Sequence, residues 1–177
     1  MRRITAIYIL LTTAATIFLS ACGASAQAVT PVSVGPLDLP DFSKWSAEDV
    51  CKVLSTDTVE EIMGRKLQSV PQPFDDSTYL GKGCAYDAGK TGTDAYFGYI
   101  ALAPRSLYED NRRVGSNVMD IRDFGLESFR ADGADAEQFW VKLSDEYALV
   151  TGIGDKPNLY TARLLAKTFL EKIGSNQ

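Results

Sequence analysis

Three cysteines and no histidine define the side-chain chemistry open to this 177-residue chain. Cys22 closes the stretch Leu19-Ser20-Ala21-Cys22-Gly23, which follows an apolar run over residues 4–18 and the positive pair Arg2 and Arg3. A basic start, an apolar segment and small residues ahead of a cut make the secretory pattern. A general cleavage site has no use for a cysteine. A lipoprotein site, the lipobox, needs its thiol as the nucleophile that takes a diacylglyceryl group. The apolar run is near the lower limit for a spanning helix, so an uncleaved anchor is the competing reading; Cys22 favours lipid. Each buried methylene contributes about 0.8 kcal/mol and a single acyl chain anchors only marginally, so the two or more chains of a lipidated cysteine would hold the protein without a spanning helix.

With Cys22 committed to lipid, Cys51 and Cys84 make an even count in an exported chain, and an oxidising compartment favours a disulfide between them. Such a bond would close a loop of about 34 residues, worth about 3.7 kcal/mol in the chain-entropy account. Two free buried thiols are the alternative; a redox pair lacks its Cys-x-x-Cys spacing. The missing histidine removes the commonest general base and metal ligand and rules out Ser-His-Asp and Cys-His sites. Ser-Lys and paired-carboxylate chemistry stay open.

Removing residues 1–21, which hold two arginines and no acid, shortens the chain from 177 to 156 residues and takes its formal net charge from −5 to −7. One domain and a tether fit that length. An acidic surface argues against binding nucleic acid or an anionic headgroup layer through a basic patch.

Four other groups of residues have chemical potential, each set against a plainer role. Asp75 and Asp76 with Asp57 or Glu60 could bind calcium, but no Asp-x-Asp-x-Asp-Gly loop is present and a solvated loop is the simpler reading. Gly152-x-Gly154 ahead of a helix suggests phosphate binding, yet it lacks the third glycine and the Gly-Lys-Ser/Thr ending, which favours a strand-to-helix connection. Arg112 and Arg113 could grip an anion or form a solvated helix face. Trp45, Trp140 and Tyr147 could line a pocket, though aromatics at strand spacing are more often core. No cofactor or metal is expected from these patterns.

The elements that must position these residues follow from periodicity and punctuation. Residues 23–41 are small or proline-rich and cannot build a core; this stretch would reach roughly 25 Å as a coil and about 60 Å extended, and with the lipidated Cys22 the expected tether spans 22–43. Ser46 with Asp49 three residues on marks a helix start, and the segment to Gly64 reads as two short helical turns or one bent helix. Strands are expected at 65–70, 83–87 and 94–103, with residues 74–80 as a loop. A helix is expected over 105–114, strands at 118–124 and 127–130, and a hairpin from 137–143 and 146–152. Asn158 caps a closing helix whose stripe is Leu159, Ala162, Leu165, Ala166, Phe169 and Ile173. The order α-βββ-α-ββββ-α, with turns between strands, predicts an α+β domain over residues 44–177, its sheet mainly antiparallel and its helices packed on one face.

The lipobox cysteine, Asp49-Val50-Cys51-Lys52-Val53-Leu54-Ser55 opening the first helix, Met63-Gly64 ending it, and Gly83-Cys84-Ala85-Tyr86 on a strand resemble small actinobacterial lipoproteins of a domain-of-unknown-function family. That family commonly has an aromatic residue, often Trp, two places after its second cysteine; here it is Tyr86. The similarity spans about residues 45–173. It implies an α+β domain with a Cys51–Cys84 disulfide, and a more distant similarity to ligand-cleft modules such as the extracellular sensor domains of mycobacterial kinases. It implies no activity.

The functional expectation is a non-enzymatic, lipid-anchored binding or accessory protein facing outside the cytoplasm, with a protein or small apolar ligand as partner. A cell-envelope hydrolase using paired carboxylates is the first alternative. It requires two acids converging in a cleft at about 5–10 Å. A purely structural envelope component is the second.

Overall fold

Ser46 begins the domain's helical part in the way its spacing predicts. Its Oγ accepts a hydrogen bond from the Asp49 backbone N–H at 3.2 Å, and Asp49 Oδ2 accepts from the Ser46 N–H at 3.1 Å. This reciprocal capping satisfies two of the donors that a helix start leaves bare. Helix α1 (Ala47–Val53) ends at Leu54, whose backbone is extended, and Ser55 caps α2 (Thr56–Met63) by accepting from the Thr58 N–H at 3.3 Å. Gly64 ends α2 in the left-handed region, φ 67°, a conformation that costs glycine nothing. The computed structural model describes residues 34–35, 37–91, 94–133, 135–154 and 158–175. Cys22, the expected leader over 1–21, residues 22–33 of the expected tether and the expected loop at 155–157 lie outside the described residues.

Seven strands follow: β1 (Gln72–Asp76), β2 (Gly81–Thr91), β3 (Asp94–Pro104), β4 (Ser116–Ile121), β5 (Ser128–Asp132), β6 (Ala136–Lys142) and β7 (Tyr147–Gly154). They form one antiparallel sheet in the order β1-β2-β3-β7-β6-β5-β4. Helix α3 (Arg105–Val114) carries the chain from β3 in the middle to β4 at the far edge, and three hairpins bring it back until β7 pairs with β3. The closing helix α4 (Leu159–Ser175) starts where Asn158 Oδ1 accepts from the Thr161 N–H at 3.1 Å. The protein is thus α+β with an antiparallel sheet, as the element order predicts.

Three local expectations change. The strand expected at 65–70 lies instead at β1, past Pro71 and including Pro73. Proline is tolerated there because β1 is an edge strand and one face of its hydrogen-bonding ladder is unused. The loop expected over 74–80 therefore shortens to a turn, in which Asp76 Oδ1 accepts from the N–H groups of Thr78 and Tyr79, both at 3.2 Å. The tether is also shorter than expected. Val34 is buried and donates its N–H to the Phe124 carbonyl at 2.7 Å, and Phe42 packs edge-on against Trp45 and Tyr147. These apolar residues dock upstream of the expected boundary at 44.

The sheet buries both faces, which explains why β7 is apolar almost throughout. One face carries Ile100, Phe139, Val141, Leu149 and Ile153 against α1, α2 and α4. Here α4 turns Leu165, Ala166, Phe169 and Leu170 inward, and Thr151 Oγ1 donates to the Ala162 carbonyl at 2.8 Å. The Cys51–Cys84 disulfide, with Cα atoms 4.9 Å apart, ties α1 to β2 on this same side. The other face carries Ala101, Phe129, Trp140 and Val150 against Tyr108 of α3. The expectation that all helices share one face therefore holds for α1, α2 and α4 but not for α3, whose crossing from β3 to β4 runs over the opposite side.

Candidate functional site

Helix α3 is short and covers only part of its face. It packs against β3, β5, β6 and β7 through Tyr108, whose ring lies 4.9 Å from Phe129 in an edge-on arrangement. Beside it the sheet surface towards β1 and β2 stays open. The result is a groove of about 870 Å³ between Leu107, Asn111 and Val114 of α3 and the Thr78-Tyr79-Leu80 turn.

Aromatic residues floor this groove, and glycines on neighbouring strands make room for them. Phe74 on β1 pairs with Gly83 on β2, and Tyr99 on β3 pairs with Gly152 on β7. Phe97 lies over Gly154. At each of the three glycines a Cβ atom would overlap the ring above it. Without Cβ atoms the rings can lie down on the backbone. The sheet thus forms an apolar floor at a site where ordinary side chains would fill the space. Gly152-x-Gly154, a candidate phosphate motif by sequence, is part of this strand floor.

The groove's polar groups are few and uneven. Tyr99 is 6% exposed, and among the described residues no partner meets its hydroxyl at full hydrogen-bond geometry. Burial pushes its pKa well above the ordinary phenol range, with the adjacent Gln138 amide opposing that only in part. Gln138 turns its amide oxygen to the Trp140 indole N–H at 3.0 Å. Asp76, Asp110 and Asp135 stand around the groove, and the described lining contains no lysine or arginine. Asp76 is engaged in its turn, and Asp110 pairs with Arg113 at 2.8 Å. Tyr79 and Val114 are 71% and 73% exposed, so the mouth itself is apolar.

The other candidates fall elsewhere. Glu60 accepts from Lys66 and from the Leu67 N–H at 2.9 Å, which holds its carboxyl below the usual range, Lys66 contributing most. Among the described residues no group of three or more potential ligands gathers for a metal ion, so Asp57, Glu60, Asp75 and Asp76 do not converge. Arg112 bridges Asp120 at 3.0 Å and Glu127, and Glu127 also accepts from Lys142 at 3.3 Å. Burial favours the protonated form of Glu127, but Lys142 and Arg112 together outweigh it and lower the pKa. Both arginines of the pair are thus engaged with acids. Trp140 is core, stacked on Phe129 at 6.1 Å, while Trp45 and Tyr147 pack on the disulfide side of the sheet. None of these three aromatics lines the groove.

Sequence reasoning missed Phe74, Phe97 and Tyr99 as site residues. The signal available was the aromatic run of β3, where period-two alternation sends Phe97 and Tyr99 to one face and Tyr96 and Ile100 to the other. Their partnering glycines lie some fifty residues away, a pairing that only register reveals. Among the described residues no helix is long and apolar enough to cross a membrane. No protein-family model, curated protein sequence or solved structure matches the chain.

Proposed function

We propose that the chain is a lipid-anchored, extracytoplasmic binding protein, held to the membrane through Cys22, that takes a small, largely apolar ligand into the groove beside α3. The carrying observation is the floor of Phe74, Phe97 and Tyr99 laid on Gly83, Gly152 and Gly154. A soluble domain gains nothing in stability from leaving three aromatic residues along an open groove, whereas an apolar pocket with a few polar groups suits a small molecule. Two of the groove's three aspartates already serve a turn and an ion pair, which supports holding a molecule over cutting one. The acidic mature surface and a described lining without lysine or arginine argue against nucleic acid. The resemblance to small actinobacterial lipoproteins and the Leu19–Cys22 motif support the anchor.

Titrating the mature chain (residues 22–177) with the neutral dye N-phenyl-1-naphthylamine tests this reading. Saturable fluorescence enhancement with one site per chain is expected, and Val114→Lys or Tyr79→Lys should abolish it while the fold persists, because both side chains are exposed at the mouth. A folded protein that shows no saturable binding would overturn the proposal.

A further inference from the structure

The Tyr99 hydroxyl is the feature of the groove that its own architecture leaves incomplete. Buried polar groups are nearly always hydrogen-bonded, and leaving one unpaired costs about 1–3 kcal/mol. Tyr99 is 6% exposed and lines the groove; the Gln138 amide lies beside its hydroxyl, and among the described residues no acceptor stands within hydrogen-bond reach of the hydroxyl hydrogen. The ring cannot easily turn to seek another partner. It lies on Gly152 with the hydroxyl end against the glycine backbone, and Gln138 directs its amide oxygen to Trp140. The hydroxyl is therefore held at one fixed place at the groove wall, as a donor waiting for an acceptor. Charge narrows the ligand further. Asp76, Asp110 and Asp135 surround the groove, and its described lining contains no lysine or arginine. An anion entering there would lose hydration and meet three carboxylates, with Arg113 offsetting the charge of Asp110, a combination that is disfavoured.

We infer that the groove selects a neutral or cationic apolar molecule carrying a hydrogen-bond acceptor, such as a carbonyl, that receives the Tyr99 hydroxyl proton donor, and that it rejects the same skeleton when that skeleton carries an anionic group. This rests on the binding reading above.

Two matched pairs of dyes test it on the mature chain. N-phenyl-1-naphthylamine and 8-anilinonaphthalene-1-sulfonate share a skeleton and differ in the sulfonate; the neutral dye should bind at least about ten-fold tighter, and the triple variant Asp76→Asn, Asp110→Asn, Asp135→Asn should close most of that gap. 6-Propionyl-2-dimethylaminonaphthalene and 2-dimethylaminonaphthalene differ in the ketone; the ketone should be favoured by about five- to ten-fold, the worth of one hydrogen bond. Tyr99→Phe should erase that preference and leave the ketone-free dye unaffected. Binding of all four dyes with no sulfonate penalty, or a ketone preference that persists in Tyr99→Phe, overturns the inference while leaving the groove reading intact. The second result would mean that a group other than the Tyr99 hydroxyl donates to the ketone. Failure of every dye to bind the folded chain overturns the groove reading, and this inference with it.

Discussion

Tyr99 on β3 lies directly across from Gly152 on β7, and its ring fills the space that a side chain at 152 would need. The pairing couples the sheet's central register to the shape of the groove. Gly152→Ala should force the ring to move and cost about 1–3 kcal/mol, the usual penalty for overpacking. It should also weaken dye binding in the groove. The same substitution made on a Tyr99→Ala background should cost clearly less, because the ring is then gone. Urea unfolding of the two single variants and the double variant gives the coupling directly; additive costs would show that the ring and glycine do not interact.

The Cys51–Cys84 bond joins α1 to β2 across 33 residues of sequence. Replacing both cysteines with alanine should lower stability by about 2–4 kcal/mol, mainly by freeing the unfolded chain. Reducing the wild-type protein should move its urea midpoint to a similar place. A midpoint unchanged by either treatment would contradict a closed loop.

Acid should loosen the helices α1 and α2 first. Asp49 accepts from the Ser46 N–H, from Lys52 and from the Ser46 hydroxyl, and Glu60 from Lys66 and the Leu67 N–H, so both carboxyls lie below their ordinary pKa range. A carboxyl whose folded pKa is depressed adds stability above the unfolded value and loses it as pH falls through the folded one. Stability should therefore be flat near neutrality and fall from about pH 4 downwards. Asp49→Asn should flatten the decline, as followed by urea midpoints between neutral and acid pH. The Asp49 carboxyl is about half exposed, so its share of the slope should be gentle, whereas Glu60 is mostly covered.

Cys22 carries the proposed anchor. In a bacterial host that processes lipoproteins, the wild-type chain should take up labelled palmitate and partition into the detergent phase of Triton X-114. Cys22→Ala should remain unlabelled and keep its leader, giving a larger band on a gel. Labelling that survives in Cys22→Ala would place the lipid elsewhere or remove it from the account.

Local structure was legible in the sequence wherever one residue type answers one local need. Ser46 and Asp49 cap α1, Asn158 caps α4, and α3 spans the same Arg105–Val114 that its polar and apolar spacing predicts. The hairpin of β6 and β7 alternates as read, with Phe139 and Val141 on one side and Trp140 on the other. Legibility failed where a distant partner decides. Strand β1 forms at Gln72–Asp76 because an edge position accepts Pro73, and Val34 is ordered because Phe124 receives its N–H. The groove was invisible for the same reason: its floor joins residues from β1, β3 and α3 with glycines on β2 and β7.

The sequence by itself determined the cysteine arithmetic, the exclusion of histidine chemistry, the leader pattern around Cys22 and the α+β alternation, since each depends on composition or on neighbours a few residues apart. Only the tertiary structure decided which face α3 crosses and which glycine lies beneath which ring. Strand side chains alternate with a period of two, so a one-residue slip between β3 and β7 would turn Tyr99 away from the groove and Ile100 out of the core. That register is held by Ile100, Leu149 and Ile153 packing beneath α4 on the far side of the sheet. The core of one face thus sets the shape of the site on the other.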